Sequence, residues 1–126
     1  MITQFSKIDN QQFYQMQKSS MRQLMNDTAH FEKVVQWSVK SDRKTFAGMY
    51  CDFSNTDLRQ KISQIKCPSL ILLESYFANQ KPSIEEQYKN MPMARLQYAK
   101  KGLHFIMYDD KNWFDHQLND FINKSR

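Results

Sequence analysis

Cys67-Pro68-Ser69-Leu70-Ile71-Leu72-Leu73-Glu74 is the stretch that decides the fold. Proline lacks a backbone N–H and holds the residue before it extended, so Cys67-Pro68 ends the helical pattern that precedes it. The run that follows is apolar without alternation, which fits a strand covered on both faces, as in a parallel sheet of an α/β protein. Downstream, Ser83 and Glu86 follow Pro82 with the spacing of a capping box, predicting a helix through Met91 that Pro92 stops. Ala94-Arg95-Leu96-Gln97-Tyr98-Ala99 then alternates and predicts a second strand nearer an edge. Strand, helix and strand within about 30 residues make a βαβ unit.

Beyond the second strand comes Gly102-Leu103-His104-Phe105-Ile106-Met107-Tyr108-Asp109-Asp110. A final helix is expected from an Asp110 cap, burying Trp113, Phe114, Gln117, Leu118, Phe121 and Ile122 against the sheet. A histidine on a loop between a strand and a closing helix can reach a site at the end of the sheet while packing holds its backbone. Tyr76 and Phe77 lie just past the first strand, where α/β sheets place ligands, and are candidate pocket walls. His30 and His116 sit among polar neighbours and read as surface residues.

Upstream of the break the pattern is helical, with no proline and one glycine, Gly48. Asp9 or Asn10 can cap a first helix with two apolar stripes, Phe13, Met16, Ser20 and Leu24 on one and Tyr14, Met21 and Met25 on the other. Asp27 or Thr28 can cap a second carrying Phe31, Val34, Val35 and Val39. Ser41 or Asp42 can open a third with Phe46, Met49, Tyr50 and Phe53 on one face. Asp57 with Gln60 has the spacing of a capping box for a fourth, shorter helix bearing Leu58, Ile62 and Ile65. The division expected is therefore a helical region over 1–66 and a strand-containing region over 67–126.

Composition narrows the function classes. The 126 residues carry 18 basic and 13 acidic side chains, a net charge of +5. The basic residues are scattered, with no aromatic-interleaved stripe, so no nucleic-acid partner is expected. Cys51 and Cys67 have no CxxC partner and no histidine at ligand spacing, so buried thiols are expected, with no metal site and no cofactor. No apolar run approaches the roughly 18 residues that span a bilayer, and Met1-Ile2-Thr3-Gln4-Phe5-Ser6-Lys7 lacks a signal-peptide core. No membrane partner and a cytoplasmic location are expected.

The order of these elements resembles the C-terminal half of an α/β-hydrolase. It runs from cap-like helices through Asp57-Leu58-Arg59 and Ile65-Lys66-Cys67-Pro68 to an apolar strand, then a βαβ unit and a Gly-x-His loop with a closing helix. The likeness is most specific from His104 to Asp110 followed by Trp113-Phe114, and it points to capped serine hydrolases. It implies that residues 1–66 form a helical cap, that 67–126 are the C-terminal part of the hydrolase core, and that His104 is the general base of a Ser-His-acid triad acting on acyl substrates, esters or amides. In that family the acid often lies a few residues past the strand that here ends at Glu74. Ser75-Tyr76-Phe77-Ala78-Asn79-Gln80 has no carboxylate, so Glu74 is the nearest candidate. Other members take the acid from the preceding strand.

A nucleophilic serine is absent on residue grounds alone. The strained elbow that presents it needs small neighbours, usually G-x-S-x-G, and Gly48 and Gly102 are the only glycines. The chain alone is therefore expected to be inactive. The alternative reading is a non-catalytic remnant or an interaction module that self-associates through open sheet edges.

Overall fold

Among the described residues, three helices precede Asp57: α1 (Asn10–Met21), α2 (Phe31–Val39) and α3 (Arg43–Asn55). The computed structural model describes residues 8–124; the opening stretch 1–7, where the sequence lacks a signal-peptide core, lies outside them. The chain divides into two compact units between Asp57 and Leu58.

In the helical unit the caps form where short polar side chains precede apolar periodicity. Asp9 Oδ1 accepts from Gln12 N–H at 2.8 Å, and Asp42 Oδ1 accepts from both Thr45 N–H and Thr45 Oγ1 at 2.8 Å. Asp27 acts one turn early. Its carboxylate accepts from His30 N–H at 2.6 Å, and α2 begins at Phe31 with His30 at the cap. The core is built from Phe13, Met21, Met25, Val34, Val35 and Ala47. Phe13 meets Phe46 edge to face at 5.8 Å, and the Arg43 guanidinium covers the Phe13 ring at 4.9 Å while donating to the Ile8 carbonyl and Asn10 Oδ1.

The expected apolar face of α3 exists but is not a buried one. Met49, Tyr50 and Phe53 are 66%, 50% and 81% exposed, and the residue that α3 buries fully is Ala47. Nor are both thiols buried. Cys51 is half-buried, and Cys67, in the loop before Pro68, is exposed.

The second unit holds β1 (Ser69–Leu73), a 3₁₀ helix (Ser75–Gln80), α4 (Lys81–Tyr88), β2 (Ala94–Tyr98), a single turn α5 (Ile106–Asp109) and α6 (Lys111–Lys124). The strands pair in parallel, Ser69 opposite Ala94 through Leu73 opposite Tyr98. This mixed helix-and-strand arrangement with a parallel crossover is compatible with the α/β class. Its core is Leu73, Ile84, Met91, Ala99 and Ile106.

Several local expectations differ from what forms. The Asp57–Gln60 spacing leads only to a 3₁₀ turn, Lys61–Gln64, because the backbone is already extended at Ile65 on its approach to Pro68. The Ser83–Glu86 box is not the start of α4. The helix begins at Lys81 and carries Pro82 in its first turn, where a missing N–H leaves no hydrogen bond unmade. It ends at Tyr88, and Met91 closes the following turn by donating to the Tyr88 carbonyl at 2.9 Å.

The closing helix α6 starts at Lys111, directly after the Asp110 expected to cap it and behind the separate turn α5, but its apolar face is only half-buried, with Leu118 and Ile122 at 39% and 42% exposure. Two strands with axes about 5 Å apart are too narrow to cover a helix about 10–12 Å wide. The same narrowness leaves Ser69 to Leu72 of β1 half-buried, although their pattern suits two covered faces.

Candidate functional site

The ends of β1 and β2 are joined by hydrogen bonds that extend past the sheet. Ala99 N–H donates to the Leu73 carbonyl at 2.9 Å, and two residues later Ser75 donates twice to Gly102, from its N–H at 3.1 Å and its hydroxyl at 2.8 Å. Gly102 thus begins the histidine loop with its carbonyl fixed to the chain leaving β1.

Glycine is required at that position. Its φ is +95°, the only positive value among the described residues, and a Cβ there would lie 3.2 Å from Asp109 Cβ. Asp109 is close because its Oδ2 accepts from Leu103 N–H at 2.8 Å, pinning the next residue of the loop to the end of α5. Asp110, the expected cap, lies 3.8 Å by its Oδ1 from Lys101 Nζ, and its carbonyl receives Phe114 N–H at 3.0 Å. The two residues before His104 are therefore tied at three points.

His104 itself is exposed. Its ring meets Phe105 edge to face at 5.4 Å, and among the described residues neither imidazole nitrogen has a hydrogen-bond partner. A histidine serving as a satisfied interior polar group would have one. The backbone is held while the ring stays available.

Glu74 is half-buried, precedes Ser75 directly and makes no side-chain hydrogen bond to the helix it opens. The Ser75–Gly102 bonds bring its stretch of chain against the histidine loop, but no hydrogen bond joins the Glu74 carboxylate to His104. Tyr76 and Phe77 follow, edge to face at 5.7 Å, with Tyr76 59% exposed and Phe77 half-buried. Also at this end of the sheet, the Tyr98 hydroxyl is buried without a partner; burial pushes its pKa up, and the charge of Glu85 adds to the shift.

Ser75 and Asp109 are the loop-holding residues that sequence reasoning missed. Asp109 had a local signal, an acidic side chain at the end of a short turn six residues past the amide it accepts from. Ser75 had none, since it bonds across 27 positions.

Among the described residues no group of three or more His, Cys, Asp or Glu side chains is placed to hold a metal ion. No helix among them is long and apolar enough to cross a membrane. A cavity of about 290 Å³ is lined wholly by the helical unit, including Lys18, Arg22, Met25, Asp27, Phe31 and Glu32. Its carboxylates are engaged. Asp27 accepts from His30 N–H and also bonds the His30 ring, and Glu32 accepts from Gln36 Nε2 and Tyr14 Oη, contacts that hold both acids below the usual carboxylate range.

No protein-family model and no solved structure matches the chain. Among curated proteins it is similar to a proline iminopeptidase of Flavobacterium johnsoniae, with 30% identity over 67 residues. The match covers 53% of this chain and 23% of the relative's length, and so relates part of this chain to part of a hydrolase.

Proposed function

We propose that the chain is the C-terminal portion of a hydrolase that cleaves acyl ester or amide bonds, with His104 as the general base and the nucleophilic serine lying outside these 126 residues. The observation that carries the reading is the fastening of the loop. Gly102 and Leu103 are held by Ser75 and Asp109, and the next side chain is an exposed imidazole free of internal hydrogen bonds.

In this reading a serine hydroxyl attacks the acyl carbon as an imidazole nitrogen of His104 takes its proton. The same proton passes to the leaving alcohol or amine as the acyl bond breaks. Water then repeats the sequence on the acyl-enzyme and restores the serine. Glu74 is the proposed acid that fixes the tautomer, and Tyr76 and Phe77 are proposed pocket walls. The likeness to a proline iminopeptidase favours the amide side of the choice.

The test uses the complete polypeptide that carries this segment together with a G-x-S-x-G serine. There, His104→Ala is expected to lower kcat by about 10⁴-fold or more. Glu74→Gln lowers kcat with KM little changed if it is the acid. The 126-residue chain alone takes no label from a fluorophosphonate probe, because the elbow serine is missing. Full activity in His104→Ala, labelling of the chain alone, or the lack of any polypeptide that joins the segment to such a serine would sink the proposal.

A further inference from the structure

The cavity of about 290 Å³ in the helical unit takes its whole lining from one continuous stretch of chain, Lys18 to Glu32, so its walls form from local structure alone. Its volume suits a small organic molecule. The last turn of α1 and its C-cap supply Lys18 and Arg22, four positions apart and therefore on one helical face. The connection to α2 supplies Met25 and Asp27, and the first turn of α2 supplies Phe31 and Glu32. Met25 is buried and Phe31 half-buried, so the charged groups share the lining with apolar surface.

Two cations and two carboxylates face one space, yet among the described residues no ion pair joins Lys18 or Arg22 to either acid. The acids are engaged locally instead, Asp27 by His30 and Glu32 by Gln36 and Tyr14. The Tyr14 hydroxyl also accepts from Lys18 Nζ at 3.2 Å, which holds the ammonium near Glu32 without a direct bond and leaves it two donors. The Arg22 guanidinium has no hydrogen bond or ion pair among the described residues, and Glu32 Oε2 accepts only from Tyr14. Because the contacts of both acids favour their ionised forms, all four groups are charged at neutral pH and their charges sum to zero. A ligand of one sign meets a like charge in this cavity. A ligand carrying both signs does not.

We propose that this cavity binds a small zwitterion whose carboxylate and ammonium are separated by an apolar body, the chemistry of an ω-amino acid or of the two termini of a short peptide. The Arg22 guanidinium is a planar fork of donors that takes a carboxylate in bidentate fashion, with Lys18 as the second cation. Glu32 and Asp27 take the ammonium, and Met25 and Phe31 take the apolar body. Separation of the charges follows from where they are held. The cations belong to α1 and Glu32 to α2, and the axes of packed helices lie about 8–10 Å apart. The inference does not rest on the hydrolase reading, because no residue of the histidine loop takes part in it.

The test is an amide NMR titration of the 126-residue chain with ε-aminocaproate. Saturable shifts centred on residues 18–32 are expected. Caproate, which lacks the ammonium, and hexylamine, which lacks the carboxylate, each bind about tenfold more weakly or worse. Leucine, with both charges on one carbon, is weaker as well. Alanylalanine separates the two sources of this chemistry: tighter binding than ε-aminocaproate assigns a peptide, weaker binding assigns an ω-amino acid, and either supports the site.

Arg22 is exposed, so its replacement leaves the fold intact, which the amide spectrum checks. Arg22→Ala weakens ε-aminocaproate about tenfold, and Arg22→Lys, which keeps the charge and loses the fork, weakens it less. Lys40→Ala, at the far end of α2, changes nothing. The proposal is overturned by the lack of saturable shifts with ε-aminocaproate and alanylalanine alike, or by shifts centred outside 18–32. It is overturned equally if caproate, hexylamine or leucine binds as tightly as ε-aminocaproate, or if Arg22→Ala binds unchanged. None of these outcomes bears on the kinetics expected of His104→Ala.

Discussion

In the helical unit Phe13, Val34, Val35 and Ala47 are at most 1% exposed, whereas in β1 only Leu73 is buried and the residues before it stay half in water. The helices enclose one another: α1 and α2 lie side by side, and α3 adds Phe46 against Phe13. The two-stranded sheet has one helix packed on β1, α6, and no third strand among the described residues. A helical hairpin with one more helix satisfies its own backbone and closes a small core. A strand satisfies half its backbone groups on each side and buries side chains on two faces, so it needs more of the protein around it.

The sharpest way to break this contrast is a pair of truncations. Phe13→Ala is expected to destabilise the helical unit by about 3–5 kcal/mol, because it removes a fully buried ring that is also the seat of the Arg43 guanidinium. Ile71→Ala, in a half-exposed strand, is expected to lose only about 1 kcal/mol, roughly half the value of full burial. Denaturant unfolding followed separately at amides of α1 and β1 checks both. Equal losses would mean that β1 is better covered than its exposure indicates.

Gly102→Ala sharpens the comparison at the one place where the strand unit is tightly built. A left-handed backbone costs an L-residue about 1–2 kcal/mol, and here the new methyl also presses on the Asp109 Cβ that carries the Leu103 clamp. Lower thermal stability is expected, together with faster exchange of the Leu103 amide. An unchanged Leu103 amide would mean that the clamp does not depend on the glycine.

The contrast also explains what was legible in the sequence. The unbroken run Leu70-Ile71-Leu72-Leu73 and the alternation of Arg95 to Tyr98 located the strands, and their crossover dictated parallel pairing, because period and length are local properties. The helix caps at Asp9 and Asp42 were legible for the same reason. The Asp57–Gln60 spacing misled, since a capping box says where a helix can start but not that enough chain remains before a proline to continue it. The face of α3 was legible as a pattern and not as a burial, and Ala47 was invisible because a small residue carries no hydrophobic signal. At the candidate site, His104 stood out through its context. The Ser75–Gly102 contact that holds its loop joins positions with no periodic relation and appears only in three dimensions.

The smallest expected effect concerns the attachment of α6 to β2. Asp120 Oδ1 accepts from Lys124 Nζ at 2.7 Å, and Asp120 Oδ2 from Arg95 Nη2 at 2.7 Å. These bonds, Lys124 first and Arg95 second, hold the Asp120 carboxyl below its ordinary value of 3.8. The unfolded chain therefore takes up the proton at higher pH than the folded one. The stabilisation from Asp120 is fully present above the ordinary value and is lost as pH falls through the lower folded one. Both partners are solvent-accessible, so the loss is small and diminishes with added salt. An NMR titration is expected to place the Asp120 side-chain midpoint below 3.8, and Asp120→Asn is expected to flatten the stability profile below that pH. A midpoint at or above 3.8 would mean that the link between β2 and α6 is carried by apolar packing alone, which would narrow the difference between the strand unit and the helical one.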